Sequence, residues 1–354
     1  MFVSNFPKVI KSLLQNLPKN DYPVLNTFLF TSCWVGFSMD KSLVSMRDLI
    51  TRVNSRGKKL DLSTFSQASN SRNSEVFEKI LNRGLKKLRK KKGVAKDKIY
   101  FPLDSTVITL TSKLLWREKY HQVKLFTGLN SFSSEIDGIK IYFGQGHDSK
   151  EGTDTIANIP ENGVGIMDRA GERPAVVRRV ASPRAFRRFC SKERIRKLSE
   201  IKNKFFVLRV KNNMNLKILE NGNCLLGGKK DNVEIRIVNF CSRDNNVEYR
   251  LATNLSLAEF SNSEIGEIYR KRWAIETLWK FLKMHLKLDQ LITKNDNGIA
   301  IQIYSCLIGY IILQLTEIPQ EIGNKALDKL RYLQSFMNEK VSYINWFRRM
   351  SFSW

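Results

Sequence analysis

The sequence predicts an α/β protein in which a helical N-terminal region precedes a sheet-forming core with a strand-rich insertion. Residues 1–95 show helical periodicity with polar turns, whereas residues 98–110 and the segments after them have the apolar patterns of strands. A basic helix over residues 182–201 precedes a second strand block at about 204–256, and the remainder is helical. This order of helices, strands, helix, strands and helices indicates an α/β or α+β core.

The charge of the chain predicts a polyanionic partner. Its 354 residues suffice for two domains and include 60 Lys and Arg against 34 Asp and Glu, a net charge of +26. Nucleic acid and an anionic membrane are the two partners that such a surplus fits. The most apolar run, residues 299–315, contains two Gln, two Tyr, a Ser and a Cys, which favours a buried core helix over a membrane span. We therefore expect nucleic acid as the partner and no membrane.

Cysteine and histidine usage argues against a thiolate or imidazole metal site. The five cysteines are scattered without any C-x-x-C pair, and none of the three histidines lies close to another in sequence. Free cysteines are typical of a reducing cytoplasm. A bound metal would therefore have oxygen ligands, which favours Mg²⁺ or Mn²⁺.

Residues 1–95 are expected to form a helical DNA-binding domain. Short helices separated by polar turns, in a strongly basic chain, fit a domain of the helix-turn-helix type. The basic run at residues 83–98 would then contact phosphates. The alternatives are that these helices cap the next domain and that the run is a solvated linker.

Two aspartates stand beside apolar strand segments. Asp104 lies within "PLDST", and Asp168 ends the segment "GVGIMD". A carboxylate is costly to bury unless it is paired or bound to a metal, so both are candidate metal ligands. Taken alone, each could equally be a turn or capping residue.

Residues 267–288 have the pattern of one long amphipathic helix. At 100° per residue, four polar side chains share a stripe about 60° wide beside the apolar face. These are Tyr269, Arg272, Glu276 and Lys283. Helical geometry alone fits an ordinary Arg–Glu pair as well as a functional site. Trp273 flanks the stripe and could contact DNA, whereas Trp279 is expected in the core.

The spacing Y-x2-R-x3-E-x6-K resembles the signature of the DDE transposases of bacterial insertion sequences, in the branch named after insertion sequence four. "PLDST" and "MDRAG" are similar to the surroundings of the family's first and second aspartates. The resemblance covers roughly residues 98–291. The sequence departs from the pattern at Ala170, where the family usually has Gly. It also has no Trp between Arg117 and Arg272 to stack a flipped base; Phe240 and Tyr249 are the possible substitutes, or else core residues.

The resemblance implies a ribonuclease-H-like mixed-sheet catalytic domain over residues 96–354, with the β insertion at about 204–256 and C-terminal helices. The catalytic residues would be Asp104 on the first strand, Asp168 after the fourth strand and Glu276 on a helix after the insertion. Together they would bind two Mg²⁺ (or Mn²⁺) ions. Two such ions suit phosphoryl transfer on DNA. Tyr269, Arg272 and Lys283, with Trp273 beside them, would contact the DNA.

The implied function is a transposase that binds the inverted-repeat ends of its element, cleaves DNA and transfers strands to target DNA. It would act as a homodimer on double-stranded DNA, in the bacterial cytoplasm at the nucleoid. Two alternatives remain open. One is a sequence-specific DNA-binding protein without catalysis, and the other is a metal-dependent nuclease without strand transfer.

Overall fold

A computed structural model describes residues 5–18, 22–55, 57–95, 97–110, 121–144, 156–168, 190–210, 216–220, 223–226, 233–241 and 248–337. The chain divides into two compact units. The helical unit comprises Met1–Lys91, Leu110–Lys119 and Lys280–Trp354, and the sheet unit comprises Lys92–Thr109 and Tyr120–Trp279. Arg169, Ala170 and the basic segment 182–189 lie outside the described residues.

The described elements alternate much as the sequence predicts. The first five helices are α1 (Phe6–Leu14), α2 (Thr27–Met39), α3 (Met46–Asn54), α4 (Leu62–Ser71) and α5 (Glu75–Lys92). Strands β1 (Tyr100–Thr109), β2 (Gln122–Leu129), β3 (Ile136–Phe143) and β4 (Val164–Met167) follow, and then α6 (Cys190–Glu200). The second strand block contains β5 (Phe205–Val210), β6 (Lys217–Ile218), β7 (Cys224–Leu226), β8 (Val233–Cys241) and β9 (Glu248–Thr253). The last helices are α7 (Asn262–Arg270), α8 (Trp273–Leu286), α9 (Asp296–Leu315), a 3-10 turn (Gln320–Ile322) and α10 (Ala326–Met337).

Helix α9 forms the centre of the helical unit. It is long and apolar enough to cross a membrane, but 89% of its most apolar window is buried. Ser38 of α2 donates to the carbonyl oxygen of Ser305, and Gly84 lets α5 approach Ile311 closely. The prediction of a buried core helix is confirmed. The N-terminal helices share this unit with residues 280–354, whereas the sequence suggested that residues 1–95 are a domain of their own.

Within the described residues, the sheet has nine strands in the order β3-β2-β1-β4-β5-β9-β8-β7-β6. Strands β1, β4 and β5 run parallel, and β2 and β3 are antiparallel extensions at one edge. Strands β9, β8, β7 and β6 continue the sheet antiparallel beyond β5. The predicted α/β class is therefore confirmed, and β5, which falls within the predicted insertion, pairs in parallel with β4.

Alternate residues of the central strands face different helices. Met167 and Leu208 lie in the apolar cluster that contains Ile195 and Leu198 of α6. Ile166 and Val207 lie in the cluster that contains Ile265, Ile268 and Tyr269 of α7. Helices α6 and α7 thus cover opposite faces of the sheet unit, and the even-numbered residues of β1 and β4 point to the α7 face.

The single helix predicted for residues 267–288 is wrong, because the chain breaks between α7 and α8. The amide of Lys271 donates to the Ile268 oxygen at 3.1 Å, and the amide of Arg272 donates to the Tyr269 oxygen at 3.0 Å. Bonds three residues back tighten the backbone into a 3-10 turn. Tyr269 is consequently on α7, Arg272 in the turn, and Glu276 in the first turn of α8.

Candidate active site

Three candidate site residues come from one row of the sheet. Leu103 of β1 pairs with Met167 of β4, which pairs with Leu208 of β5. The next residues along the chain are Asp104, Asp168 and Arg209. Because side chains alternate and neighbouring strands lie about 4.8 Å apart, these three are neighbours on the α7 face.

Asp168 is the most heavily contacted acid of this row. The Tyr269 hydroxyl donates to its Oδ1 at 3.2 Å. The guanidinium groups of Arg209 and Arg272 lie 3.6 Å from Oδ1 and 3.8 Å from Oδ2. A capping box of Ser261 and Glu264 fixes the start of α7, which carries the buried Tyr269 at its other end. Asp168 is therefore held by two cations and a phenol.

Arg272 bridges the sheet row to the third acid. Its Nη1 forms an ion pair and hydrogen bond with Glu276 Oε1, four residues later, in addition to its contact with Asp168. The Arg272 side chain is only 16% exposed, and its buried Nε has no hydrogen-bond partner among the described residues. One guanidinium thus lies against two acids and keeps an unused donor.

The electrostatics of Asp104 show that the three acids form one cluster. Burial, and then the negative charges of Glu276 and Asp168, raise the pKa of the Asp104 carboxyl to about 6. The Ser105 amide and the Arg272 charge oppose this rise. Like charges in a buried site produce this pattern, and a bound cation would relieve it.

Tyr269 serves as a hydrogen-bond donor. Burial, and then the neighbouring Asp168, raise the pKa of its phenol to about 12. A phenol with a raised pKa stays protonated near neutral pH and is a poor nucleophile. The site therefore does not favour chemistry through a covalent tyrosine–phosphate bond.

Arg209 is a site residue that the sequence analysis missed. Its guanidinium lies over the Tyr249 ring at 4.3 Å, and its buried Nε has no hydrogen-bond partner in the part of the chain that the structure describes. The available signal was a charged residue within the apolar strand "FFVLRV", the same signal that identified Asp104. The parallel register of β4 and β5, which places Arg209 beside Asp168, was not predictable.

The remaining residues singled out in the sequence lie on α8, β8 and β9. Trp273 begins α8 with 66% of its surface exposed, and Lys283 belongs to the helical unit. Phe240 stacks on Tyr249 with ring centroids 6.5 Å apart and touches α7 so closely that a Cβ on Gly266 would lie 2.1 Å from its ring. Phe240 is therefore packed in the sheet unit, and Trp279, only 5% exposed, is a core residue as predicted.

The acids fit a hard divalent cation by chemistry. Within the described ranges, no three His, Cys, Asp or Glu side chains are close enough to hold a metal ion as they stand. Asp104, Asp168 and Glu276 nevertheless supply only carboxylate oxygens, the ligands that Mg²⁺ and Mn²⁺ take. Arg272 now provides the positive charge between two of them. The donor set, whose three negative charges exceed the two positive charges of Arg209 and Arg272, fits a metal site.

Comparison with known proteins identifies the family. Residues 96–312 match the model of the transposase DDE domain. The chain is 48% identical to the putative transposase for insertion sequence element IS4SA of Synechocystis, over 99% of both chains. It is 27% identical to the probable transposase for insertion sequence element IS5377 of Geobacillus stearothermophilus, over 38% of this chain and 40% of that one. The chain belongs to the DDE-domain transposases of insertion sequences.

Proposed function

We propose that this transposase binds the inverted-repeat ends of its element, cleaves the DNA there with two Mg²⁺ (or Mn²⁺) ions, and joins the ends to target DNA. The observation that carries the proposal is the sheet row of Asp104 and Asp168, coupled through Arg272 to Glu276. Three carboxylates of one charge cluster are what a two-metal phosphoryl-transfer site requires.

The topology supports a ribonuclease-H-like core. Strands β3, β2, β1, β4 and β5 are consecutive in the sheet, with β1, β4 and β5 parallel. Asp104 lies in the first strand, Asp168 follows the fourth, and Glu276 lies on a helix after the antiparallel strands β6 to β9. This is the arrangement that the resemblance implied.

Asp104, Asp168 and Glu276 would hold the ions. The ions supply activation of the attacking oxygen and stabilisation of the leaving one. In cleavage, water attacks a phosphodiester, and the DNA 3′-oxygen leaves with a proton. In strand transfer, the free 3′-hydroxyl attacks a target phosphodiester, so that one P–O bond forms as another breaks.

The cations of the site would bind DNA phosphates. Arg209 and Arg272 each keep a buried Nε that has no partner within the described ranges, and a guanidinium fork matches phosphate oxygens. The Tyr269 hydroxyl fixes Asp168, while Lys283 and the exposed Trp273 would contact the DNA further along. Such contacts position the scissile bond and carry little sequence information.

The rest of the protein would contribute binding and assembly. The C-terminal half of α5 exposes basic side chains that suit phosphate contact. These are Lys86, Arg89, Lys90 and Lys92. Residues 1–95 would bind the transposon ends, and two copies would assemble on DNA in the cytoplasm at the nucleoid.

A supercoiled plasmid that carries the ends of the element tests the proposal. Wild-type protein with Mg²⁺ should yield cleaved and strand-transfer products, and Asp104→Asn or Glu276→Gln should reduce both more than 100-fold. Glu267→Gln, an exposed carboxylate on α7, is the matched control and should retain activity. Cleavage without joined products would favour a nuclease, and end binding without any metal-dependent product would favour a DNA-binding protein. Full activity of Asp104→Asn would refute the metal site.

A further inference from the structure

Helix α4 has an unusual surface for this chain. Charged residues make up 27% of the protein, yet the ten residues of α4, "LSTFSQASNS", contain none. The exposed side chains are amides and hydroxyls. They are Ser63, Thr64, Gln67, Asn70 and Ser71. At about 100° per residue they form one face about 120° wide with Gln67 near its middle.

The opposite face of α4 is fixed to the helical unit. Phe65 is fully buried, and its ring centroid lies 5.4 Å from those of both Phe30 and Trp34 on α2. The end of α4 is held by Asn297, whose Nδ2 donates to the Arg72 oxygen at 2.7 Å and to the Ser69 oxygen at 3.1 Å. Helix α4 therefore presents its neutral polar face from a rigid base.

The segment before α4 is ordered and basic. Asn54, the last residue of α3, both donates to the oxygen and accepts from the amide of the buried Leu60, each at 2.9 Å. Between them, Gly57 adopts a positive φ of 84°, and Lys58 and Lys59 are exposed. Two cations thus stand at the approach to the N-terminal end of a neutral helix.

We propose that α4 reads base edges in the major groove of duplex DNA, with Gln67 and Ser63 as specificity-determining residues and Lys58 and Lys59 on the flanking phosphates. Amides and hydroxyls recognise base edges, whereas lysines bind the backbone without regard to sequence. A helix fits the major groove, and in helix-turn-helix proteins the N-terminal residues of the second helix contact the bases. The charge of +26 favours DNA over a protein as the occupant of this face.

Hydrogen bonds already made by the exposed face of α4 determine which of its side chains remain available to DNA. Asn70 Oδ1 already accepts a hydrogen bond from Asn295, so its amide is partly engaged. Within the described residues, Gln67 and Ser63 have no side-chain hydrogen bond, and both are exposed. They are therefore among the groups free to recognise bases. The proposal rests on the proposed function, because it assigns the residues that select the DNA ends.

Selection from a pool of randomised DNA duplexes tests the proposal with the full-length protein. Wild type should enrich one sequence, and Gln67→Ala should lower the ratio of selected-site to random-duplex affinity by about 5- to 100-fold, the range for one bidentate base contact. Lys58→Ala with Lys59→Ala should weaken both affinities alike and leave the ratio unchanged. Gln320→Ala removes an exposed amide elsewhere in the same unit and is the matched control.

The outcomes separate this proposal from the proposed function. If Gln67→Ala and Ser63→Ala melt like wild type and keep both the enriched sequence and the affinity ratio, α4 does not read bases. A wild-type protein that cleaves its ends but enriches no sequence would also overturn the inference. If wild type does not cleave but Gln67→Ala changes the enriched sequence, the proposed function fails while the reading role of α4 stands.

Discussion

Replacing Asp104 with Asn should stabilise the metal-free protein while it abolishes cleavage. Burial and two neighbouring acids raise the Asp104 pKa from its ordinary 3.8 to about 6, so the ionised carboxyl opposes folding. Asn has nearly the same shape and no charge. Moving a pKa from 3.8 to about 6 corresponds to about 3 kcal/mol when the pH is well above both values.

The sign of the pH dependence follows from the raised folded pKa. At pH 8 the Asp104 carboxyl is ionised in both the folded and the unfolded state, and its buried charge lowers the free energy of unfolding by the full amount of about 3 kcal/mol. As pH falls through 6 toward 3.8, the folded protein takes up the proton first, and the cost shrinks to about 1.5 kcal/mol at pH 5. The advantage of Asp104→Asn over wild type should therefore halve between pH 8 and pH 5.

Scanning calorimetry in EDTA measures this difference for the sheet unit. At pH 8 the variant should melt about 6–12 °C above wild type, since 1 kcal/mol shifts Tm by about 2–4 °C in a unit of this size. Mg²⁺ should raise the Tm of wild type and have much less effect on the variant. Asp97→Asn, at an exposed position in the sheet unit, is the control. Equal melting of wild type and Asp104→Asn at pH 8 would refute the buried charge cluster.

Three further substitutions test single contacts. Tyr269→Phe removes the hydrogen bond to the Asp168 carboxylate, so the Mg²⁺ concentration for half-maximal cleavage should rise about 3- to 10-fold. An unchanged Mg²⁺ dependence of cleavage would contradict this. Gly266→Ala forces a Cβ into the Phe240 ring and should lower the free energy of unfolding by about 1–3 kcal/mol. Gly36→Ala, whose added Cβ would meet no atom within 4 Å, should not lower it. Equal melting of the two variants would argue against the packing of Phe240 on α7. Arg209→Lys keeps the charge but loses the planar fork, so cleavage should fall about 10-fold at unchanged Tm; wild-type cleavage rates would remove Arg209 from the site.

The elements that the sequence predicted correctly are those with strong local patterns. The apolar runs around Asp104 and Asp168 specify strands whatever their partners, and the length and composition of α9 specify a core helix. The acids were identifiable because a charge in such a run conflicts with its surroundings.

The elements that were missed depend on geometry that local patterns do not encode. The 3-10 turn at Lys271 and Arg272 keeps side chains three residues apart on one side, so its periodicity resembles that of a continuous helix. The position of Arg209 beside Asp168 depends on the register between β4 and β5, two strands that are far apart in sequence.

The most direct test of the central claim is a metal-specificity switch at the three acids. A thiolate is a poor ligand for hard Mg²⁺ and a better one for the softer Mn²⁺. Cleavage of a plasmid with the element's ends by Asp104→Cys, Asp168→Cys and Glu276→Cys should be lost in Mg²⁺ and recover at least 10-fold in Mn²⁺. Variants that stay active in Mg²⁺, or that Mn²⁺ fails to rescue although they remain folded and bind DNA, would contradict the assignment of these carboxylates as metal ligands.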